Sequence, residues 1–255
     1  GIIEHSVKMT VKQPTDKLLL IEPIYPCHLA GLRQVGTLSI CRSTFDPATN
    51  LFGIDFEDLK VKLTPEVKLL ILCNPNNPTG TCVASADIEA FHRQLPPHVL
   101  LVLDEAYAEY VTRPDYTTAL GLAGLSPNVM VLRTFSKIHG LASVRLGWGY
   151  GPASVVDALN RVRSAFNVST IAMLAGIASL EDPAHLEKAK AHNATWLSWV
   201  SGQLSALGLE VTPSAGNFVL VHFKPGSEFS AAGANAHLLA NGVSVRPMGA
   251  YNLPY

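Results

Sequence analysis

The sequence predicts an α/β protein, with a mostly parallel sheet in a large domain followed by a smaller α+β domain. Three observations predict it. Short runs of Leu, Val and Ile recur through the first part of the chain, each closed by a polar or Gly/Pro-rich turn. The runs are continuously apolar and do not alternate, as expected of strands covered on both faces. Stretches with helical spacing separate them, which is the pattern of an α/β layer fold.

In chain order the predicted strands are "KLLLIE" (17–22), "VKLLILC" (67–73), "HVLLVLD" (98–104), "VMVLRT" (129–134) and "RLGWGYG" (145–151). Helices are predicted over "SADIEAFHRQL" (85–95), with Ser85 as N-cap, and over "ASVVDALNRVRSAF" (153–166). The character changes near residue 180. "EDPAHLEKAKAHNATWLSWVSGQLSALG" (181–208) reads as a long amphipathic helix that Pro183 opens and Gly208 closes. "LEVT", "NFVLVHF", a helix around "AAGANAHLLANG", and "VSVRP" then complete the smaller unit. The division is placed near residue 175, giving domains 1–175 and 176–255.

A chain of 255 residues can bury a sizeable core. It is 48% hydrophobic and 15% charged, yet Pro, Asn, Asp or Lys breaks each apolar run well short of the roughly 18 residues of a membrane span. The apolar excess therefore reads as buried strand. The formal net charge of −1, with no basic stripe, argues against nucleic acid or a membrane surface as partner. "GIIEHSVKMTVKQPTDK" has no basic start followed by an apolar block, so it does not read as a signal peptide. Cys27, Cys41, Cys73 and Cys82 form no CxxC pair and no zinc-type spacing, which suits scattered reduced thiols and the cytoplasm. His185 and His192 lie seven apart, two turns along one helix face, too far apart to share an ion. No metal site is expected.

Ligands of an open α/β sheet sit at the carboxyl ends of its strands, so the turns there carry the information. "NPNNPTG" (74–80) fixes its backbone with two prolines and turns on Gly80. This suits a plain β-to-α turn, or one in which Asn77 offers its amide to a planar ligand. In "LDEAYAEY" (103–110), Asp104 ends an apolar strand and needs a positive partner. That partner is a helix N-terminus, an arginine, or a protonated heterocycle nitrogen, in which case Tyr107 adds a phenolic hydrogen bond. In "RTFSKIHGLASVRLGWGYG" (133–151), Lys137 supplies an amine, while Arg145, Ser136 and Thr134 suit a phosphate. Singly, each feature is weak.

Together they match the needs of pyridoxal phosphate: a lysine for its aldehyde, an acid at its ring nitrogen, donors at its ring oxygen and an anion clamp. Rival readings fit less well. The glycines at 147, 149 and 151 before a helix suggest a dinucleotide loop, but Pro152 stands where its last glycine is needed. A Ser-x-x-Lys acylase would need serine where Thr134 stands.

"NPNNPTG", "DEAYAEY", "TFSKIHGLASVRLGWGYG" and "FNVS" (166–169) resemble the fold-type-I pyridoxal-phosphate aminotransferases, and within them the histidinol-phosphate aminotransferase branch. "EPIYP" (22–26), "PSAGNFVLVHF" (213–223) and "GVSVRPMGAYNLP" (242–254) extend the resemblance over nearly the whole chain. It implies an aspartate-aminotransferase-like fold with pyridoxal 5'-phosphate bonded to Lys137. Asp104 would face the pyridine nitrogen, and Tyr107 and Asn77 the ring oxygen. Thr134, Ser136 and Arg145 would hold the phosphate, and Tyr25 would stack on the ring. Asn217 and Arg246 would lie near the substrate, Arg246 at the substrate's own phosphate. His139 would be a loop residue near the cofactor.

The resemblance also implies transamination between L-histidinol phosphate and 2-oxoglutarate in a homodimer. The alternatives are an aromatic amino acid aminotransferase, an enzyme decarboxylating threonine phosphate, and, more remotely, a non-catalytic scaffold. The family pattern places a dimer-crossing arm before Gly1, with "GIIE" (1–4) as the end of a Gly-rich loop. It places a carboxylate-binding arginine just after Tyr255. The N-terminal part of the large domain and the C-terminal end of the small one are thus expected outside this sequence.

Overall fold

Both faces of the central strands are apolar because both are covered, and the structure shows how. The computed structural model describes residues 10–24, 32, 37–224, 229–251 and 253. Its elements are, in order, β1 (Lys17–Ile21), β2 (Thr37–Cys41), β3 (Ser43–Asp46), β4 (Leu51–Ile54), α1 (Phe56–Lys62), β5 (Val67–Cys73), α2 (Ser85–Gln94), β6 (Leu100–Asp104), α3 (Leu120–Leu125), β7 (Val129–Thr134) and β8 (Gly147–Tyr150). There follow α4 (Ala153–Val162), α5 (Thr170–Leu180), α6 (Pro183–Ala206), β9 (Glu210–Thr212), β10 (Leu220–His222) and α7 (Ala231–Ala240). Among the described residues six strands form one sheet in the order β2-β1-β5-β6-β7-β8. All pairings in it are parallel except β7 with the edge strand β8. The α/β prediction holds.

Successive strand residues point to opposite faces, so each run splits between two cores. Leu19, Leu70, Leu72, Leu101, Leu103, Val129 and Val131 pack on one face with Leu59 of α1, Ile88 of α2 and Ala123 of α3. Leu18, Leu20, Leu69, Ile71, Leu100, Val102, Met130 and Leu132 pack on the other with Val155 of α4. Each fully buried Leu contributes about 1.5–3 kcal/mol relative to exposure. The cysteines lie scattered, with Cys41, Cys73 and Cys82 as free thiols, while Cys27 falls outside the described residues. Burial pushes the Cys41 thiol up to about 12 and that of Cys82 to about 11, so both stay protonated at neutral pH.

Side-chain caps start several helices. Asp55 accepts from the Asp58 amide of α1, Ser169 from Ala172 of α5, Asp182 from His185 of α6 and Ser230 from Gly233 of α7. Ser85 is not such a cap: it is the first residue of α2, after Ala84 at the cap position. Its hydroxyl instead bonds the backbone of Thr117, donating to the carbonyl at 2.9 Å and accepting from the amide at 2.6 Å. The helix predicted over 153–166 stops at Val162, because Arg163 turns into extended backbone and Phe166 takes a positive φ of 54°. Pro183 does open α6, and Gly208, with φ 80°, lies just beyond its end. None of its residues is buried, however, and Trp196 and Trp199 stay about half exposed, meeting edge to face at 5.4 Å. The amphipathic pattern is present as a half-buried stripe, with Leu186, Asn193, Leu197, Val200 and Leu204 at helical spacing and the opposite side exposed.

The glycines of "GWGYG" have a packing role. A Cβ at Gly147 would lie 2.8 Å from the Arg133 carbonyl oxygen, and one at Gly151 would lie 2.9 Å from that of Val129. They let β8 close on β7, which accounts for them without a nucleotide. Leu101 is fully buried at the centre of the sheet. Leu101→Ala should lower the urea unfolding free energy by about 2–5 kcal/mol with little change in the slope of the transition.

Candidate active site

β5, β6 and β7 run parallel and end at the same sheet edge. Cys73 is in register with Asp104, and Asp104 with Leu132. The turns that follow therefore emerge side by side, in the crevice where such sheets bind ligands.

The first turn is braced by two of its three asparagines. Asn74 donates to the Val83 carbonyl at 3.0 Å and accepts from the Val83 amide at 2.8 Å. The side-chain oxygen of Asn76 accepts from the Thr79 hydroxyl at 2.9 Å. The third, Asn77, points across to the second turn and donates to the Tyr107 hydroxyl at 2.7 Å. Gly80 holds a positive φ of 76°, and a Cβ there would lie 2.9 Å from Ser214 Cα. Its carbonyl accepts from the Ala215 amide at 2.8 Å, which pins "NPNNPTG" to the "PSAGNF" segment.

Tyr107 is buried. The Phe218 ring meets it edge-on at 5.2 Å, and Lys137 Nζ lies 4.9 Å from its ring centroid. Asn77, Tyr107 and Lys137, which come from three separate turns, are thus brought together. Buried Phe135 and Ile138 anchor the Lys137 loop. The loop closes on itself through Gly140 N to Lys137 O at 2.9 Å.

Asp104 occupies the last position of β6. Its Oδ1 accepts from the Ala106 amide at 3.2 Å, and its Oδ2 lies 3.9 Å from the Cys73 sulfur. Burial, reinforced by the Asp104 charge, pushes the Cys73 thiol far above its ordinary value, so it is the donor of this weak contact.

Thr134, Ser136 and Arg145 form a second cluster. The Thr134 hydroxyl accepts from the Ser136 amide at 3.0 Å, and the Ser136 hydroxyl accepts from Arg145 Nη1 at 3.4 Å. Arg145 adopts left-handed backbone, φ 55° and ψ 50°, at a cost of about 1–2 kcal/mol for a non-glycine residue. Its guanidinium donates back to the Ala142 carbonyl at 2.7 Å and keeps an exposed position beside Ser136. A hydroxyl pair and a planar cation together suit an anion.

Asn217 reaches the second turn through a hydrogen bond to Tyr110. Arg246 donates to the Tyr251 hydroxyl at 3.3 Å. Tyr25 lies outside the described residues.

Sequence reasoning missed several neighbours of these groups. Glu105, one residue beyond Asp104, is buried with Arg133 and Glu109. Phe218 backs Tyr107, and Cys73 faces Asp104. The sequence did carry one signal for Arg133, since a cation one residue before the end of the apolar run "VMVLRT" needs a partner.

The model of the family "Aminotransferase class I and II" matches residues 3–254. The chain belongs to that family. Among aminotransferases of known sequence, the histidinol-phosphate aminotransferase of Rhodopseudomonas palustris is 48% identical over 201 residues, covering 79% of this chain and 55% of its own length. That of Nitrobacter winogradskyi is 47% identical over 233 residues, covering 91% and 64%. This chain thus spans less than two thirds of these relatives. The structure of histidinol-phosphate aminotransferase from Sinorhizobium meliloti, solved in complex with pyridoxal-5'-phosphate, superposes with a TM-score of 0.82 at 29% identity. It covers 96% of this chain and 65% of that one. A tetra mutant of Thermus thermophilus aspartate aminotransferase shares the fold, with a TM-score of 0.83 at 24% identity over 99% of this chain and 70% of that one.

His139, two residues beyond Lys137, ties the loop to the helices behind it. Its Nδ1 is hydrogen-bonded to the Ser179 hydroxyl of α5 at 2.8 Å, and His185 of α6 meets the Ile138 carbonyl at 3.3 Å. Burial lowers the pKa of His139 below the ordinary 6.5; Glu109 opposes this and His185 reinforces it. A histidine held neutral in this way supports the fold fully above its unfolded value and loses that support as pH falls through its folded one. Stability should therefore decline as pH falls below the ordinary histidine value, and His139→Asn should flatten part of that decline in urea midpoints taken on the acid side of neutrality. Identical pH profiles for the variant and the parent would contradict the assignment.

Proposed function

We propose that this protein is a pyridoxal-phosphate-dependent aminotransferase that moves an amino group between L-histidinol phosphate and 2-oxoglutarate. One observation carries the reading: Lys137 Nζ lies 4.9 Å over the ring of Tyr107, whose hydroxyl accepts from Asn77 at 2.7 Å. The names of relatives at 47–48% identity and the pyridoxal-5'-phosphate complex of a structural neighbour support it.

The donor set fits the cofactor. It offers one amine, one strand-end carboxylate, an amide and a phenol side by side, and a hydroxyl–guanidinium pair. When bound, pyridoxal phosphate supplies an aldehyde that takes up amines and a pyridinium ring that draws electrons from the carbon losing its proton. Lys137 is the residue for the aldehyde and afterwards the base that takes and returns that proton at Nζ. Asp104 would face the ring nitrogen, where a carboxylate favours its protonated form. Asn77 and Tyr107 donate to the ring oxygen, and their mutual hydrogen bond holds the phenol in place. Thr134, Ser136 and Arg145 hold the phosphate. Asn217 and Arg246 would serve the substrate, Arg246 its phosphate; the resemblance gives Tyr25 the place against the ring.

The same reading includes a large cofactor-binding domain to about residue 175, a small domain after it, a homodimer and a cytoplasmic location. Among the described residues no helix is long and apolar enough to cross a membrane.

Lys137→Ala should abolish turnover and the protein-bound absorbance band that remains with the parent after free cofactor is removed. A variant that keeps both would refute the role of Lys137. Arg246→Ala should raise KM for histidinol phosphate about tenfold or more and leave KM for an aromatic amino acid nearly unchanged, as loss of a charge-assisted phosphate contact requires. Equal effects on the two donors would favour the aromatic amino acid reading.

A further inference from the structure

We infer that Arg133 is a positioning residue whose guanidinium holds the turn carrying Asp104 and Tyr107 against the strand leading to Lys137, an inference that rests on the reading of the site proposed above.

The Arg133 side chain is 9% exposed, yet it carries a full charge one residue before the end of β7. Its Nε donates to Glu105 Oε2 at 3.1 Å, and its Nη2 lies 3.0 Å from the same oxygen. Its Nη1 donates to Glu109 Oε1 at 2.6 Å. One planar fork therefore grips the turn at two places four residues apart. Asp104 precedes the first grip, and Tyr107 lies between the two. Nothing about a buried cation requires this geometry; a single carboxylate would neutralise it.

The remaining contacts spread the hold. Glu105 Oε2 also accepts from the Thr118 hydroxyl at 2.7 Å, and Oε1 accepts from the Ala119 amide at 2.8 Å, so the segment entering α3 is tied to the same carboxylate. Trp148 of β8 lies 5.9 Å from the guanidinium carbon. The turn needs such support. Beyond Glu105, whose amide donates to Leu132 O at 3.0 Å, its backbone bonds run from Ala108 to Glu105, Tyr110 to Tyr107 and Val111 to Ala108. They close within the turn and fix its shape without fixing where it sits. Asn77 and Phe218 locate the Tyr107 ring, and Arg133 adds the hold on the turn's backbone side; because Thr134, Ser136 and Lys137 follow it directly in the chain, it spaces the two halves of the site.

The test is Arg133→Lys, which keeps the charge and loses the fork. Pyridoxal phosphate is titrated into the parent protein and the variant, and the visible absorbance band is followed with concentration and with pH, alongside thermal melting. A positioning role predicts a folded variant that binds pyridoxal phosphate about tenfold more weakly, with the pH midpoint of the band moved by about half a unit or more, because misplaced donors no longer meet the ring. A merely structural role predicts a lower melting temperature with affinity and midpoint unchanged, and that result overturns the inference. If Arg133→Lys does not fold, Glu109→Gln decides in the same way, since it weakens one grip and leaves the Glu105 pair intact. A parent protein that develops no band overturns the proposed function and this inference together. A parent band with an unaltered variant overturns the inference alone.

Discussion

The phenol of Tyr107 is the contact on which the rest of the site depends. It is buried at the end of an apolar strand, its hydroxyl accepts from Asn77, its edge rests on Phe218 and its face lies beneath Lys137. Four chain segments far apart in sequence meet on this one ring. Such a meeting is possible only because β5, β6 and β7 are parallel, in register and terminate together. The sheet geometry comes first, and the chemistry is built on the turns it aligns.

The energetic division follows from that order. Two apolar cores, one on each face of the sheet, supply the stabilisation. At the carboxyl ends of β5, β6 and β7, polar side chains such as Asn77, Tyr107, Glu105 and Arg133 meet specific partners. The Glu105–Arg133–Glu109 cluster is the extreme case, with Glu105 and Arg133 nearly out of water and Glu109 at its partly exposed rim. Replacing such a cluster with well-packed apolar side chains is often neutral for stability, whereas removing one member costs about 3–5 kcal/mol because a charge is left unpaired. The cluster is best understood as a geometric device, since apolar packing is non-directional and cannot fix a turn to a fraction of an ångström.

The sheet was legible in the sequence because an unbroken apolar run is rare outside a doubly covered strand, and all five predicted runs proved to be strands of it. The turns were legible because Asn, Pro and Gly mark turns, and a carboxylate ending an apolar strand needs a partner. What failed was short-range or depended on surroundings. Ser85 looks like an N-cap, yet its hydroxyl finds Thr117, a partner 32 residues away that no local pattern reveals. The helix from Ala153 ends four residues early, on a backbone turn at Arg163 that helix propensity does not encode. The edge strand β2, the β3–β4 hairpin and α5 escaped notice because their apolar content is low or lacks a clear period. At the site, Asn77, Tyr107 and Lys137 were readable as residue types, whereas Arg133 and its carboxylates were not, because a salt bridge between residues 28 apart leaves only unexplained charges in a strand and a turn.

The most direct test of the account is to trap the cofactor where it bonds. The protein is incubated with pyridoxal phosphate, reduced with borohydride, digested and mapped by mass spectrometry. The account predicts the added pyridoxyl phosphate mass on Lys137. Its stoichiometric appearance on a different lysine, or on none, would contradict the central claim that this amine, set over Tyr107, is the working group of the protein.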